Sequence, residues 1–340
     1  MVKPLENQKT KNDKMVSCTG ISKKYISVEA LKDISFDVSH GEIFGVIGPD
    51  GSGKTTLFRI LTTLMLADSG TATVNGLDVV KDYKAIRNNV GYMPGRFSLY
   101  QDLTVEENLN FFARVFNTTI EENYDLVKDI YAQIEPFRKR KAGALSGGMK
   151  QKLALSCALI HKPAVLFLDE PTTGVDPVSR KEFWGMLKNL KQQGITILVS
   201  TPYMDEAALC DRIALILNGS FLDIDTPQGI TGKFTEPLWA VQSNLMSQLL
   251  ADLRTNKHVK SCFAFGDKHH LTMNNERLTM NNEVELEWLR KYLESKGHQN
   301  IEIERIQPGI EDCFIRITEF SKTSETELFT SRQRDIVFNF

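Results

Sequence analysis

The sequence predicts an α/β domain built around a Gly-rich loop, followed by a small α+β domain. The Gly-rich loop, residues 48–55, lies between a strand-like run at 43–47 and a helical run that starts at Thr56. A second apolar run, 164–168, reads as a buried strand and ends in two acidic residues. After Ile230, short strands and amphipathic helices alternate without these features. Apolar strands interleaved with helices favour the α/β class, and the later change of pattern predicts a second fold.

The Gly-rich loop reads Gly-Pro-Asp-Gly-Ser-Gly-Lys-Thr, a complete match to the pattern G-x-x-x-x-G-K-[ST]. Its glycines let backbone N–H groups approach phosphate oxygens without obstruction by a Cβ atom. The Lys54 ammonium is predicted to reach the β- and γ-phosphates, and the Thr55 hydroxyl to hold Mg²⁺. The loop therefore predicts a nucleoside triphosphate site, with contacts from Gly48, Pro49, Asp50, Gly51, Ser52, Gly53, Lys54, Thr55 and Thr56.

Local patterns predict further elements of the first domain. Residues 34–38 and 42–47 read as two paired strands joined by the turn at 39–41. Residues 71–74 read as a short strand, and from 103 to 133 apolar residues recur at helical spacing. A helix-rich insert therefore follows the Gly-rich loop.

Two further strings indicate which kind of nucleotide protein this is. Residues 145–148 read Leu-Ser-Gly-Gly before a helical stretch, and residues 164–170 read Ala-Val-Leu-Phe-Leu-Asp-Glu. By itself, Leu-Ser-Gly-Gly fits equally well a helix start capped by Ser146. With all three strings in this order, the chain resembles the ATP-binding-cassette (ABC) family from about Val16 to about Ile230. Residues 308–315 resemble the end of the accessory domain in export-type ABC transporter subunits of the drug or polysaccharide efflux kind.

The resemblance implies a P-loop NTPase cassette with an inserted helical subdomain, an ATPase that uses ATP and Mg²⁺. Its chemistry needs a metal ligand and a base that activates water. Asp169 suits the metal, together with Thr55, and Glu170 suits the general base. Tyr25 matches the place where the family stacks an aromatic ring on adenine. The remaining implied contacts, which reach nucleotide across a pair of cassettes, are Ser146, Gly147, Gly148 and Asp176.

Two positions depart from the family pattern. Gly95 stands where the family usually carries a glutamine that approaches Mg²⁺ and the attacking water, and Pro202 stands where it usually carries a histidine that contacts the γ-phosphate. Proline supplies neither a side-chain donor nor a backbone N–H. Losing one preorganised donor to a developing negative charge costs roughly 10²–10³ in rate. The two departures therefore predict slow turnover, unless neighbouring groups substitute for the missing ones.

The family's composite geometry extends this prediction. Two cassettes sandwich two nucleotides, and each site pairs one subunit's phosphate loop with the Leu-Ser-Gly-Gly of the other. This chain has an intact Leu-Ser-Gly-Gly and departures in its own site, so it would serve a partner's site better than its own. We therefore expect a heterodimer or a tandem-cassette partner, and a separate transmembrane permease.

The overall composition limits the classes of function that the chain can have. The net charge is −2 with 25% charged residues, so no dedicated nucleic-acid surface is predicted. Five scattered cysteines favour reduced thiols, and the longest apolar runs are far shorter than the roughly 20 residues that span a bilayer. Residues 3–14 are polar and lack the apolar core of a signal peptide. We expect a cytoplasmic chain that reaches the membrane through its permease.

The C-terminal region follows the order β-α-β-β-α-β, which predicts a small ferredoxin-like α+β domain. Residues 271–277 and 278–284 are the near-identical heptapeptides LTMNNER and LTMNNEV. Two copies are too few for a solenoid, so they predict a duplicated surface loop. The predicted divisions are a flexible tail at 1–14, the ATP-binding domain at 15–230 with a helical subdomain at about 97–150, an accessory domain at 231–318 and a tail at 319–340.

Two other functions remain open on sequence. A soluble ABC ATPase that acts on ribosomes or DNA usually carries two cassettes, a long coiled coil or zinc-ligating cysteines, and none is visible in this sequence. A non-hydrolysing regulatory cassette is favoured only by Gly95 and Pro202.

Overall fold

The computed structural model describes residues 14–274 and 282–319. The chain divides into two compact units, with the division after Ile230. Each unit has its own sheets and core, and each is described by itself.

The first unit contains ten strands and seven α-helices among its described residues. The strands are β1 (Lys14–Tyr25), β2 (Val28–Ser39), β3 (Ile43–Ile47), β4 (Ser69–Val74), β5 (Leu77–Asp78), β6 (Val90–Met93), β7 (Val165–Asp169), β8 (Thr196–Thr201), β9 (Arg212–Leu217) and β10 (Ser220–Asp225). The helices are α1 (Lys54–Leu61), α2 (Tyr83–Asn89), α3 (Val105–Val115), α4 (Tyr124–Tyr131), α5 (Gly147–Leu159), α6 (Pro177–Gln192) and α7 (Pro227–Gly232).

Two sheets organise this unit. An antiparallel sheet has the order β2-β1-β4-β5, and a six-stranded sheet has the order β10-β9-β3-β8-β7-β6. Strands β9, β3, β8, β7 and β6 run parallel to their neighbours, and β10 is an antiparallel edge. Every residue of β3, β7 and β8 is buried, as expected for parallel strands covered on both faces.

The predicted hairpin between 34–38 and 42–47 is wrong. The first segment belongs to β2 in the antiparallel sheet, whereas β3 pairs in parallel with β8 and β9 in the other sheet. The continuous apolar character of β3 could have indicated a strand buried on both faces rather than one half of a hairpin. The turn at 39–41 therefore links two sheets.

Two helical predictions change in detail. Helix α1 starts at Lys54, two residues before the predicted start. The helical stretch predicted at 103–133 is divided into α3 and α4. Helix α3 begins with a capping box, in which Thr104 and Glu107 bond each other's backbone N–H groups.

The second unit is a four-stranded sheet with helices. Its elements are β11 (Leu238–Gln242), α8 (Met246–Thr255), β12 (Val259–Phe265), β13 (Lys268–Met273), α9 (Asn282–Ser295) and β14 (Glu302–Ile306), followed by a helix over 310–319. The strand order is β12-β13-β11-β14 and every pairing is antiparallel. This arrangement confirms the predicted β-α-β-β-α-β order. The heptapeptide pair falls largely outside the described residues.

All five cysteines are buried and carry free thiols. Burial raises the pKa of the Cys262 thiol to about 11. Among the described residues, no helix has both the length and the apolar character required to cross a membrane.

Candidate functional site

The candidate site lies where four parallel strands end side by side. The order β3-β8-β7-β6 places the segments that follow them along one edge of the sheet. These segments are the Gly-rich loop, residues 200–202, the acidic pair 169–170 and residues 94–95. Ligands of open α/β sheets bind at the carboxyl ends of the strands. Topology thus brings together residues that are 150 positions apart in sequence.

The glycines of the loop are required by close packing. A Cβ atom at Gly48 would lie 2.1 Å from the carbonyl oxygen of Ile216, and one at Gly53 would lie 2.4 Å from that of Ala30. Gly51 has φ +77° and open space around it. Two glycines therefore let the loop pack against its own domain, and the third leaves its outer surface open.

The carbonyl of Ala30 also packs against a second glycine. A Cβ at Gly219 would lie 2.8 Å from the same oxygen that approaches Gly53. The N–H of Gly219 donates to the Ser52 carbonyl at 3.0 Å, and the N–H of Lys32 donates to the Gly219 carbonyl at 2.8 Å. The antiparallel sheet, the Gly-rich loop and the β9–β10 turn are therefore joined at Ala30.

Lys54 is buried inside the loop. Its Nζ donates to the carbonyl oxygens of Gly48, at 2.8 Å, and Pro49, at 2.9 Å. The same atom lies 3.1 Å from Oε1 of Glu170, so the loop cation and the second acid form an ion pair. The hydroxyl of Ser52 is buried in the same loop and lacks a hydrogen-bond partner.

An open cleft of about 730 Å³ lies against the outer side of the loop. Its lining comprises Lys24, Ser27, Val28, Glu29, Ala30, Lys32, Gly51, Gly53, Lys54, Thr55, Thr56, Glu170 and Asn218. The other predicted contacts of the loop and the first acid do not line this cleft, namely Gly48, Pro49, Asp50, Ser52 and Asp169. Sequence reasoning missed the contributions of Lys24, Val28 and Asn218, because only the fold brings the β1–β2 and β9–β10 turns to the loop.

Tyr25 ends β1 beside this cleft but does not line it. Its hydroxyl donates to Sδ of Met65 at 2.8 Å and lies 3.5 Å from Oγ1 of Thr56. The lining next to it comes instead from Ser27 and Val28.

The acidic pair ends β7. Asp169 is buried, and its Oδ1 accepts a hydrogen bond from Oγ of Ser200 at 2.6 Å. Glu170 has φ +50°, a left-handed conformation that is uncommon for residues other than glycine. Its N–H donates to both the carbonyl and the hydroxyl oxygen of Ser200, each at 3.0 Å. The left-handed turn lets the Glu170 carboxylate meet Lys54, while Asp169 stays behind it.

The donor set fits Mg²⁺. The Thr55 hydroxyl and the Asp169 carboxylate are oxygen ligands of the hard type that Mg²⁺ prefers, and the orphaned Ser52 hydroxyl adds a buried polar group to the loop. Within the described ranges, no three His, Cys, Asp or Glu side chains converge as a metal cage. Mg²⁺ usually takes one or two carboxylates with water and substrate phosphates rather than such a cage.

Gly95 touches the backbone of the acidic pair. A Cβ atom at this position would lie 3.0 Å from the carbonyl oxygen of Asp169 and 3.7 Å from Cβ of Glu170. A side chain added at Gly95 would therefore meet both acids.

Pro202 follows β8 within a polar network. The Thr201 hydroxyl donates to Oε2 of the buried Glu206 at 2.6 Å, and Arg180 on α6 lies 3.0 Å from Oε1 of the same carboxylate. The Arg180 guanidinium also stacks 4.1 Å over the ring of Tyr203. The N–H of Gly48 donates to the Thr201 carbonyl at 3.2 Å. This network links α6 to the first residue of the Gly-rich loop.

The Leu-Ser-Gly-Gly segment begins α5. The Ser146 hydroxyl caps this helix by accepting from the N–H of Met149 at 3.4 Å. A Cβ at Gly148 would lie 2.9 Å from Oγ of Ser179, and one at Gly147 would lie 3.7 Å from the Gly174 carbonyl. None of Ser146, Gly147 and Gly148 lines the cleft of this chain.

Asp176 likewise lies outside that cleft. Its Oδ1 caps α6 by accepting from the N–H groups of Val178, at 3.1 Å, and Ser179, at 3.0 Å. The bonds from Ser179 hold the pKa of this carboxyl below its usual range. Asp176 is thus an exposed anion beside the segment that starts α5.

A second cavity, of about 200 Å³, has a largely apolar lining that includes Leu64, Val90, Phe112, Phe116 and His161. The imidazole of His161 stacks on Phe116 with a ring separation of 3.7 Å, and its Nε2 lies 3.1 Å from the Val90 carbonyl. Burial lowers the pKa of His161 below its ordinary value. Aromatic contact continues outward from Phe112 through Phe111 to Tyr100, both of which are exposed.

Comparison with known proteins places this geometry in a family. A sequence model of ABC transporters matches residues 31–173. The chain is 43% identical over 224 residues to a probable multidrug ABC transporter ATP-binding protein, YbhF, of Escherichia coli, which aligns with 65% of this chain and 39% of that protein. The chain therefore spans well under half the length of YbhF.

Other relatives match over nearly their whole length. The doxorubicin resistance ATP-binding protein DrrA of Mycobacterium tuberculosis is 31% identical over 336 residues, covering 95% of this chain and 100% of that protein. The daunorubicin resistance ATP-binding protein DrrA2 of Streptomyces coeruleorubidus is 33% identical over 328 residues, covering 92% and 97% respectively.

Solved structures give the same fold. An ATP-binding subunit of an ABC transporter superposes with a TM-score of 0.59 at 27% identity, covering 65% of this chain and 93% of that one. The CbiO1 subunit from Clostridium perfringens gives the same TM-score at 24% identity, with 65% and 92% coverage. The predicted P-loop α/β cassette is thereby confirmed. The chain belongs to the ATP-binding subunits of ABC transporters, a family whose general activity is ATP hydrolysis and whose members dimerise and work with transmembrane permeases.

Proposed function

We propose that this chain is the ATP-binding subunit of an exporter of drug-like or other amphipathic compounds, and that it acts with a separate permease. The observation that carries the proposal is the full-length similarity to the two anthracycline resistance proteins, which extends beyond the cassette into the second unit. ATP binding would close a pair of cassettes, and hydrolysis or release would open it, so that the permease alternates between orientations.

In the proposed site, the phosphates lie on the Gly-rich loop at the N-terminus of α1. Backbone N–H groups and the helix dipole favour anions there. Lys54 pairs with the β- and γ-phosphates after leaving Glu170, and Ser52 supplies the hydroxyl that lacks a partner in the free loop. Thr55 and Asp169 hold Mg²⁺, which when bound offsets the charge that develops on the phosphoryl oxygens.

Glu170 is the proposed general base. Once Lys54 has turned to phosphate, the Glu170 carboxylate is released toward the cleft that it lines. A carboxylate within hydrogen-bond reach of the attacking water can accept its proton. We assign adenine contact to Tyr25 together with Val28, because Val28 is the apolar lining residue next to the end of β1.

The permease is proposed to dock on the cavity beside His161. Leu64 and Phe112 line it, and Phe111 and Tyr100 extend it with exposed aromatic surface. Exposed apolar patches of this kind mark protein interaction sites. A permease helix that inserts an apolar side chain there would also contact the loop that contains Gly95, through Met93 and Pro94 in the cavity wall.

A slow intrinsic turnover and an asymmetric partner are also proposed. Gly95 offers no side chain to the water or the metal, and Pro202 offers none to the γ-phosphate. In a homodimer both sites would carry both departures. A heterodimer with a complete cassette would combine this chain's Leu-Ser-Gly-Gly with the partner's phosphate loop, and Asp176 would lie at their interface.

The test is membrane retention of the chain when it is expressed with and without a candidate permease. The wild-type chain should pellet with membranes only when the permease is present. Leu64→Asp should abolish this retention, whereas Val80→Asp, a matched change at an apolar residue of similar exposure outside the cavity, should not. If the Leu64 variant still pellets with membranes, the cavity beside His161 is not the docking surface. If the wild-type chain does not associate with membranes at all, the proposed role as a transporter subunit is contradicted.

A further inference from the structure

The hydroxyl of Ser200 connects the two acids of the site. Ser200 lies directly opposite Asp169 in the parallel pairing of β7 and β8. Its Oγ donates to Oδ1 of Asp169 at 2.6 Å and accepts from the N–H of Glu170 at 3.0 Å. The fully buried Ser200 hydroxyl therefore donates a hydrogen bond to the Asp169 carboxylate and accepts one from the Glu170 backbone.

We propose that Ser200 is a positioning residue for ATP hydrolysis, which holds both Asp169 and Glu170 in their working geometry; this inference rests on the roles proposed above for the two acids. The hydrogen bonds run in one direction, from the Glu170 amide through the Ser200 hydroxyl to the Asp169 carboxylate. Such chains polarise and strengthen each other in a low-dielectric interior.

The first effect of the chain is on Asp169. A carboxylate has two oxygens that rotate together, and the short bond to Ser200 fixes Oδ1. This bond uses Oδ1, so Oδ2 is the oxygen that we assign to the metal or its water. Partners that orient a ligating carboxylate typically change metal affinity or activity by roughly 10–100-fold when removed.

The second effect is on Glu170. This residue has φ +50°, and its N–H is held by two oxygens of Ser200, the carbonyl and the hydroxyl. Conformations of this kind persist only where the surroundings over-determine them. Removing the hydroxyl leaves one of the two bonds, so the backbone that aims the Glu170 carboxylate becomes less constrained.

The positioning role of Ser200 matters in this chain because the neighbouring positions Gly95 and Pro202 supply no polar side chain to the site. Gly95, in the segment after β6, adjoins the same two acids with no side chain, and Pro202 has no donor. Ser200 is the side chain that bonds both the Asp169 carboxylate and the Glu170 backbone among the hydrogen bonds of the described residues.

Strand β8 provides a matched control at its other end. Thr196 is also fully buried, and its hydroxyl accepts from the N–H of Gly41 at 2.9 Å. Thr196→Val and Ser200→Ala each remove one buried hydroxyl that bonds a backbone N–H, but only Ser200 contacts the acids. A general loss of stability should affect both variants, and a positioning effect only the second.

The experiment compares wild type, Ser200→Ala, Ser200→Thr and Thr196→Val with three readouts. Mn²⁺ affinity in the presence of ADP, followed by paramagnetic resonance, should fall roughly 10–100-fold in Ser200→Ala. Affinity for ADP in EDTA should stay unchanged, because the Gly-rich loop is intact. Hydrogen exchange at the Glu170 amide in nucleotide-free protein should accelerate by roughly tenfold, the equivalent of one net hydrogen bond. Ser200→Thr should restore the Mn²⁺ affinity, and Thr196→Val should leave all three readouts near wild type.

Several results would overturn the proposal. Equal Mn²⁺ affinity and equal Glu170 exchange in Ser200→Ala and wild type would make Ser200 a purely structural hydroxyl, as would equal losses in Ser200→Ala and Thr196→Val. If Ser200→Thr does not fold, the comparison of Ser200→Ala with Thr196→Val still decides. If the wild-type protein binds no Mn²⁺ in the presence of ADP, the proposed metal site is wrong. Hydrogen exchange at the Glu170 amide, measured without metal, still tests whether Ser200 holds the Glu170 backbone.

Discussion

The Nζ atom of Lys54 lies 3.1 Å from Oε1 of Glu170, so the cation of the Gly-rich loop neutralises the acid that follows β7. Both groups belong to the proposed γ-phosphate site, and in the free protein they form an ion pair with each other. In the proposed site, an incoming nucleotide would compete with Glu170 for the ammonium group. We therefore expect the binding of ATP and the release of the proposed base to be coupled.

Replacing Lys54 should weaken nucleotide binding strongly. Lys54→Ala removes a charge-assisted bond worth about 1.5–3 kcal/mol, which predicts roughly a 10–150-fold loss of affinity. Titration with a fluorescent ATP analogue in Mg²⁺ buffer measures it. Lys14→Ala, which removes an exposed lysine paired with Asp37, is the control and should bind as wild type does. Unchanged affinity in Lys54→Ala would show that the loop is not the phosphate site.

Glu170→Gln should separate binding from turnover. The amide cannot accept the proton of the attacking water, so hydrolysis should fall by roughly 10²–10⁴. The same change removes the ion pair that competes for Lys54, so ATP affinity should stay equal to wild type or rise. Phosphate release and analogue binding, measured on one preparation, test both halves. A variant that retains its turnover would exclude Glu170 as the base.

The purified wild-type chain should bind Mg²⁺-ATP and hydrolyse it slowly. Pro202→His should increase turnover by up to about a hundredfold, because it returns one donor to the γ-phosphate. Gly95→Gln combined with Pro202→His should increase it further. Rapid hydrolysis by wild type, abolished by Glu170→Gln, would contradict the slow-turnover proposal and remove the reason for expecting an asymmetric pair.

The change at Gly95 needs a steric control. Any side chain places Cβ 3.0 Å from the Asp169 carbonyl, so the neighbouring backbone must yield by a few tenths of an ångström. Gly95→Ala has this cost without a new donor, and its turnover should be at or below that of wild type. A gain in Gly95→Ala equal to that in Gly95→Gln would show that geometry, not the amide, limits the rate.

We expect His161 to make the first unit less stable against unfolding at acidic pH. Burial lowers the pKa of this group in the folded chain below its ordinary value of 6.5. The unfolded chain therefore binds the proton more readily, and the free energy of unfolding falls as pH decreases through about 6.5 and below. His161→Phe can keep the ring stacked on Phe116 and does not titrate.

Denaturation of both proteins at about pH 5.5 and about pH 7.5 tests this expectation. The stability of wild type relative to His161→Phe should be lower at the acidic pH. A difference that is independent of pH would mean that the imidazole titrates alike in both states.

Much of the fold follows from local pattern. The Gly-rich loop, the acidic strand end and the order of elements after Ile230 are each encoded within short windows, where hydrophobic period and turn residues are decisive. The pairing of β3 was predicted wrongly from local turn signals, although its continuous apolar character was a clue to a strand buried on both faces. Whether 43–47 joins its neighbour or β8, which is 150 residues away, depends on tertiary packing.

The candidate site, too, was predictable from local sequence only in part. Lys54, Thr55, Asp169 and Glu170 stand in motifs and are found by spacing. Ser200 carries a weaker signal, a single hydroxyl that ends an apolar run, and its link to Asp169 appears only once β7 and β8 are adjacent. The left-handed backbone of Glu170 has no signal in sequence, and the hydrogen bonds of its N–H to the two oxygens of Ser200 form only once β7 and β8 are adjacent.

The position of the Ala30 carbonyl between Gly53 and Gly219 has a mechanical consequence. Neither glycine can gain a side chain without moving this oxygen, so a substitution at either one disturbs a point that the Gly-rich loop, the β9–β10 turn and the antiparallel sheet share. A side chain at Gly219, far from the Gly-rich loop in sequence, is therefore expected to displace the loop as well.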